Sequence, residues 1–270
     1  MTPRGRVVFP RGVYKISKPL VLESFIELIG YGAVLRGIVS AGRAMIEPPG
    51  RGVNRTDGWV IRGMRFDGVG RGPNPELPNN GSMIGLDLTQ TSYLLLEDFS
   101  FNHFHVAIRM SGGAFVTEFN GHPCMYNIIR NGNIGSVNTA IVTNYSITNR
   151  FHDLQIGNVV NGLIVDASNQ IDIENIAIEE FTGTAIDIRS RHTDTVHVDE
   201  VFFSIGPVGV NISEGPNGCG KVGTLSRFVR GVSLTSVSIA VIRNPRFTHV
   251  DTPIVDQVRA PLFAGREIRC

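Results

Sequence analysis

The sequence predicts an all-β chain wound as a single-stranded parallel β-helix, on three observations. Branched aliphatic residues dominate, turn residues are abundant, and apolar positions recur at a step of 22 residues. The 270 residues include 29 Val and 27 Ile against 15 Leu and 12 Ala. Branching at Cβ suits a pleated strand and costs rotamer freedom in a helix. Punctuation by 31 Gly and 14 Pro fits short strands joined by tight turns. The length allows one large domain with a substantial core.

The repeat is clearest around Ile178, in IDIENIAIEEFTGTAIDIRS (171–190). Ile156 and Ile134 stand at successive steps of 22 upstream. Downstream the step widens to 25 at Phe203, after which Leu225 and Phe247 resume the step of 22. Phe101 and Phe66 continue the series upstream at larger steps, which implies loops inserted between coils. Other columns move with this anchor. Three residues before it stand Gly63, Asp98, Asn131, Asp153, Asn175, Glu200 and Asn244. Gly, Asn and Asp tolerate left-handed backbone angles, so this column reads as a turn. Three residues after it stand the apolar Val69, Phe104, Val137, Val159 and Phe181. Pairs such as Ala140–Ile141, Gly162–Leu163 and Ala185–Ile186 open the next strand.

A unit this short cannot bury its own apolar face, whereas stacked units form one continuous core. Each coil then adds a rung to three parallel sheets, about 4.8 Å from the last. An antiparallel sandwich would need hairpin turns every ~8–12 residues, which would not hold this register. Along the chain, entry coils occupy 1–57 and regular coils 58–258, with a C-terminal tail at 259–270. Two polar, turn-rich loop insertions, 71–82 and 111–126, break the ladder.

The segment RVVFPRGVYKISKPLVLESFIELIGYGAVLRG (6–37) carries a strand, a Phe-Pro-x-Gly-x-Tyr turn at Phe9–Tyr14 and a Gly-rich pair of short strands. It resembles the entry coils of the pectate-lyase-like right-handed parallel β-helix superfamily. With the later coils, the resemblance covers nearly the whole chain. It implies the fold, and one of several activities: polysaccharide lyase, glycoside hydrolase, epimerase or bacteriophage tailspike. Members usually carry a helical cap before this entry. The chain starts at it, so a fragment of a larger protein, such as a tailspike without its virion-binding head, is expected.

Several other classes fit poorly. The net charge of +1 gives no bulk attraction to nucleic acid or membrane. No apolar run approaches the ~18 residues of a spanning helix, and no signal peptide is visible, so no membrane insertion is expected. Cys124, Cys219 and Cys270 have neither disulfide nor metal spacing, and no metal or cofactor is expected. GPNGCGKV (215–222) nearly spells a phosphate-binding loop, but Val222 replaces the required Ser or Thr and the ladder, not a helix, follows. Sequons at Asn54, Asn80, Asn144 and Asn211 are read as chance. Trp59 opens a strand and is expected to pack inside.

Alternation places Ile171 and Ile173 in the core, so Asp172 and Glu174 face outward on one sheet. The repeat sets His152 and Arg130 on coils preceding Glu174, and Asp199 on the following coil. It sets Arg150 and His197 on either side of Asp172. Opposite charges on adjacent rungs stabilise a solvated sheet, so a purely structural role is one reading. The other is a carbohydrate site. Glycoside hydrolysis needs an acid and a carboxylate, ~6.5–9.5 Å apart for inversion or ~5–5.5 Å for retention. Asp172 and Glu174, two residues apart on a strand, lie ~6.6–6.8 Å apart, and Glu174 and Asp199 are one rung apart. Crowding by like charges raises one carboxyl pKa, and Glu174, between Asp172 and Asp199, is the expected acid. Arg130, Arg150, His152 and His197 are the expected substrate-binding groups. A lyase, which needs a base and a cation, fits the same residues.

The expected function is therefore that of a phage tailspike-like depolymerase that binds and hydrolyses a bacterial surface polysaccharide. The expected setting is the virion tail or an extracellular space, with other tail proteins as partners. Phe202, outward between Val201 and Phe203, suggests a face that wants a partner, as in a homotrimer. A non-catalytic spike or adhesin and a polysaccharide lyase or epimerase are the alternatives.

Overall fold

The computed structural model describes residues 5–37, 42–49, 55–68, 83–112, 123–189, 193, 196–213, 221–226, 232–235, 239–243, 254–256 and 267–269. Strands of successive coils pair in parallel, coil upon coil, from residue 5 to residue 256. The predicted anchors are neighbours in space. Ile134, Ile156, Ile178 and Phe203 pair rung by rung, and Phe101 lies between Phe66 and Ile134. The column extends beyond the sequence reading through Leu35 to Tyr14. From Leu35 to Phe203 every member is buried. Within it the Phe66 and Phe101 rings stack at 4.4 Å between centroids.

Leu225 departs from the expected ladder. It pairs with Val198, not with Phe203, so it continues the column of Ile173. The step from one rung to the next is longer here than the repeat, and counting 22 residues lands one face too early. Phe247, Asn244 and Val69 lie outside the described residues.

Three bends divide each coil. The column three residues before the anchor is left-handed throughout, with φ from 49° to 67° at Gly63, Asp98, Asn131, Asp153, Asn175 and Glu200. A second left-handed column, two residues after the anchor, holds His103, Ser136, Asn158, Glu180 and Ile205. A third holds Gly58, Tyr93, Tyr126, Thr148 and Gln170. These bends make the three faces of the helix. In the coil Ile128–Asn144, residues 128–130 belong to the first face, 132–135 to the second and 139–144 to the third.

Where the chain passes from the third face to the first, buried polar side chains replace the apolar core. Asn127 Nδ2 donates to Asn149 Oδ1 at 3.0 Å, and the Leu94 N–H donates to Asn127 Oδ1 at 2.8 Å. Ser146, Ser168 and Thr193 continue a hydroxyl ladder beside them. These bonds satisfy backbone groups that a tight bend would otherwise orphan.

Trp59 is buried, its Nε1 donating to the Glu23 carbonyl at 2.9 Å. Of the 111–126 interval, Ser111 ends the strand Val106–Ser111, and Cys124–Met125 pairs with the next coil. Residues 113–122, and all of 71–82, lie outside the described residues. Lys221 and Val222 begin the strand Lys221–Ser226, where a phosphate-binding loop would start a helix. In the C-terminal tail, Glu267–Arg269 pairs antiparallel with residues 239–241. No helix among the described residues is long and apolar enough to cross a membrane.

Candidate functional site

The parallel register brings the predicted patch together on the first face. Asp172 lies between Arg150 and His197, and Glu174 between His152 and Asp199. Arg130 precedes His152 in the same row. Ile171 and Ile173 are fully buried, which turns Asp172 and Glu174 outward.

Side-chain pairing divides these residues into two groups. Arg150 Nε lies 3.5 Å from one Asp172 oxygen and His197 Nδ1 lies 3.6 Å from the other. His152 instead turns toward the bend, with Nδ1 2.8 Å from Asp153 Oδ2. That contact, reinforced by Asn175 Nδ2 at 2.6 Å, holds the Asp153 carboxyl below the usual range. Arg130 turns away from Glu174 and binds Glu97 with Nη2 at 2.6 Å. Asp199 accepts the Glu200 N–H at 2.9 Å. The Glu174 carboxylate is exposed and makes no ion pair or hydrogen bond among the described residues. Arg150 and His197 are thus placed against Asp172, a predicted catalytic carboxylate, whereas Arg130 and His152 are engaged elsewhere.

Arg130 ends a ladder of alternating charge that begins in the first coil. Arg6 binds Glu27 at 2.6 Å, Arg62 binds Glu97 at 2.7 Å, and Glu97 in turn binds Arg130. In this half of the face the charges are paired from coil to coil, which serves cohesion of the coils. On the third face, Asp187 is held by Arg189 at 3.0 Å and by Asn211 at 2.8 Å. No group of three or more His, Cys, Asp or Glu among the described residues is placed to hold a metal ion.

The structure adds a feature that the sequence reading missed. On the second face, beyond the bend column, a groove of about 730 Å³ is lined by Tyr31, Arg65, Asp67, Asp98, Asn133 and His103 among others. His103 Nδ1 meets Asp67 at 2.8 Å, and Arg36 holds the other oxygen of the same carboxylate at 2.9 Å. The Tyr31 hydroxyl donates to Asp98 at 3.0 Å, which raises its pKa. These residues come from coils of unequal length, so no fixed step connects them in sequence. The one legible signal was the outward row Arg65, Ser100, Asn133, each one residue before an anchor.

No family model matches the chain, and no curated protein matches it in sequence. Solved structures do match. An endo-xylogalacturonan hydrolase from Aspergillus tubingensis is similar over 93% of this chain and 92% of that one, with a TM-score of 0.52 and 13% identity. The A-module of a mannuronan C-5 epimerase from Azotobacter vinelandii gives 0.44 and 11% identity, covering 96% of this chain and 89% of that one. The tailspike protein of Acinetobacter baumannii phage AM24 gives 0.43 and 12% identity over 92% of this chain. The chain spans 50% of that tailspike's length. At these identities the likeness is one of fold: the chain is a right-handed parallel β-helix.

Proposed function

We propose that the chain binds a bacterial surface polysaccharide and cleaves it by hydrolysis, as a tailspike-like component of a phage tail. The observation that supports this most is the placement of Asp172, Glu174 and Asp199 within two adjacent rungs of one outward face. Glu174, uncommitted to any partner among the described residues, is the acid that protonates the glycosidic oxygen. Asp172 accepts a proton from the water that attacks the anomeric carbon, so the C–O bond breaks with inversion. Asp199 is the alternate carboxylate, and Arg150 and His197, which flank Asp172, bind sugar hydroxyls. Phe202, 41% exposed on the second face, supports assembly as a homotrimer.

A second reading is favoured by the same pairing. An aspartate flanked by Arg150 and His197 is also a stable surface ion cluster, as on a spike that binds its receptor without cutting it. End-group analysis of crude bacterial surface polysaccharide after incubation with the protein separates the readings. New reducing ends alone support hydrolysis, an unsaturated ultraviolet-absorbing product means a lyase, and neither means a binder.

A further inference from the structure

The groove on the second face is not part of the hydrolytic site on the first. The left-handed bend column stands between them, and each face has its own outward rows. Two features of the groove point to a ligand. The first is Tyr31, whose side chain is unusually bare for an aromatic, at 61% exposure. It is nevertheless fixed: its hydroxyl is held by Asp98, and its ring lies over Gly63. Gly63 has φ +67°, and a Cβ there would come within 2.5 Å of the Tyr31 ring, so only glycine seats the ring in this way. An aromatic face held rigid before binding loses little freedom when a ligand stacks on it.

The second feature is Arg65. It stands on the groove floor between Val34 and Ser100 on the adjacent rungs and is exposed. Among the described residues it has no ion pair and no hydrogen bond, whereas its neighbour Arg36 is held by Asp67. Around it Ser100, Asn102 and Asn133 supply neutral donors and acceptors. The groove then continues along the same face, past Asn133, into a hollow of about 340 Å³ beside Gln155 and Ala177 that ends at Glu179.

We propose that this groove binds an acidic oligosaccharide. One uronate carboxylate pairs with the Arg65 guanidinium, and a neighbouring sugar ring stacks on Tyr31. A guanidinium matches a carboxylate in a two-pronged geometry that no neutral hydroxyl reproduces. A sugar chain laid across the rungs reaches the second hollow, where Glu179 disfavours a further carboxylate and so sets the direction of the chain. The inference shares with the proposed function the premise that the ligand is a saccharide, but it rests on different residues on a different face.

Titration calorimetry with hexagalacturonate and with its carboxyl-reduced, neutral form tests it. The wild type is expected to bind the acidic form about ten-fold or more tightly than the neutral one. Arg65→Gln should abolish that preference, and Tyr31→Ala should weaken both ligands about ten-fold. Arg189→Gln, on the third face and outside both sites, should leave both affinities unchanged. Binding of neither ligand, equal binding of both, or a preference that survives Arg65→Gln overturns the proposal. Loss of binding in Glu174→Gln in place of Arg65→Gln also overturns it, by moving the ligand to the first face. Arg65-dependent binding without any cleavage of polysaccharide leaves this groove standing while the hydrolytic reading falls.

Discussion

Ile178 lies one rung from Ile156 in parallel register, and both side chains are closed off from solvent. That relationship fixes the phase of every residue on the two coils, including the outward turn of Asp172 and Glu174. Truncation of Ile178 to Ala removes buried volume from a column packed on both sides. It should cost about 2–5 kcal/mol in denaturant unfolding. An unchanged midpoint would mean that the column is not the core.

The buried asparagines make a different kind of demand. Asn127 accepts the Leu94 N–H and donates to Asn149 and to the Thr91 carbonyl, all without solvent. Asn127→Ala leaves the Leu94 N–H buried without its side-chain acceptor, while Asn149 Oδ1 keeps the backbone N–H of residue 127, at a cost of about 1–3 kcal/mol. Asn127→Asp should be destabilising as well, because a charge would replace the donating amide. Equal melting temperatures for wild type and Asn127→Ala would show that this ladder contributes nothing.

How much of this was legible in the sequence depended on where the repeat was regular. From Ile134 to Phe203 the steps are short, so the anchor, the bend column and the outward rows of Asp172 and Glu174 all follow from counting. The second bend column was not legible, because His103, Ser136, Asn158, Glu180 and Ile205 share a backbone angle and no chemistry. Leu225 was misplaced because a residue count does not measure a rung when the connection lengthens. Side-chain choice was equally hidden. His152 faces both Glu174 and Asp153, and only the geometry of the bend decides that its ring turns to Asp153.

The Asp153 contact makes a prediction about pH. Its carboxyl titrates below the ordinary value of about 3.9, so its charged form is favoured by folding. The contribution is fully present above that ordinary value and is lost as pH falls through the lower, folded-state value. Asp153→Asn should therefore lower the melting temperature by about 1–3 °C near neutral pH, with the difference vanishing in strong acid. A difference that grows on acidification would contradict the assignment.

The spacing of Asp172 and Glu174 predicts a stereochemical outcome. Two residues apart on one strand, they leave room for a water between carboxyl and sugar, as inversion requires. Proton NMR of the first sugars released should show the anomer opposite to that of the substrate linkage. Retention would instead implicate the closer pair, Glu174 and Asp199.

The most direct measurement is polysaccharide cleavage by the Glu174→Gln, Asp172→Asn double variant, with its melting temperature recorded beside that of the wild type. Outward strand positions carry little packing, so the melting temperature should stay within about 2–4 °C. Release of reducing ends should fall by ~10²-fold or more for each residue changed, the usual effect of removing a positioned acid or base. A folded double variant that cleaves at the wild-type rate would contradict the account and move the active centre off the first face.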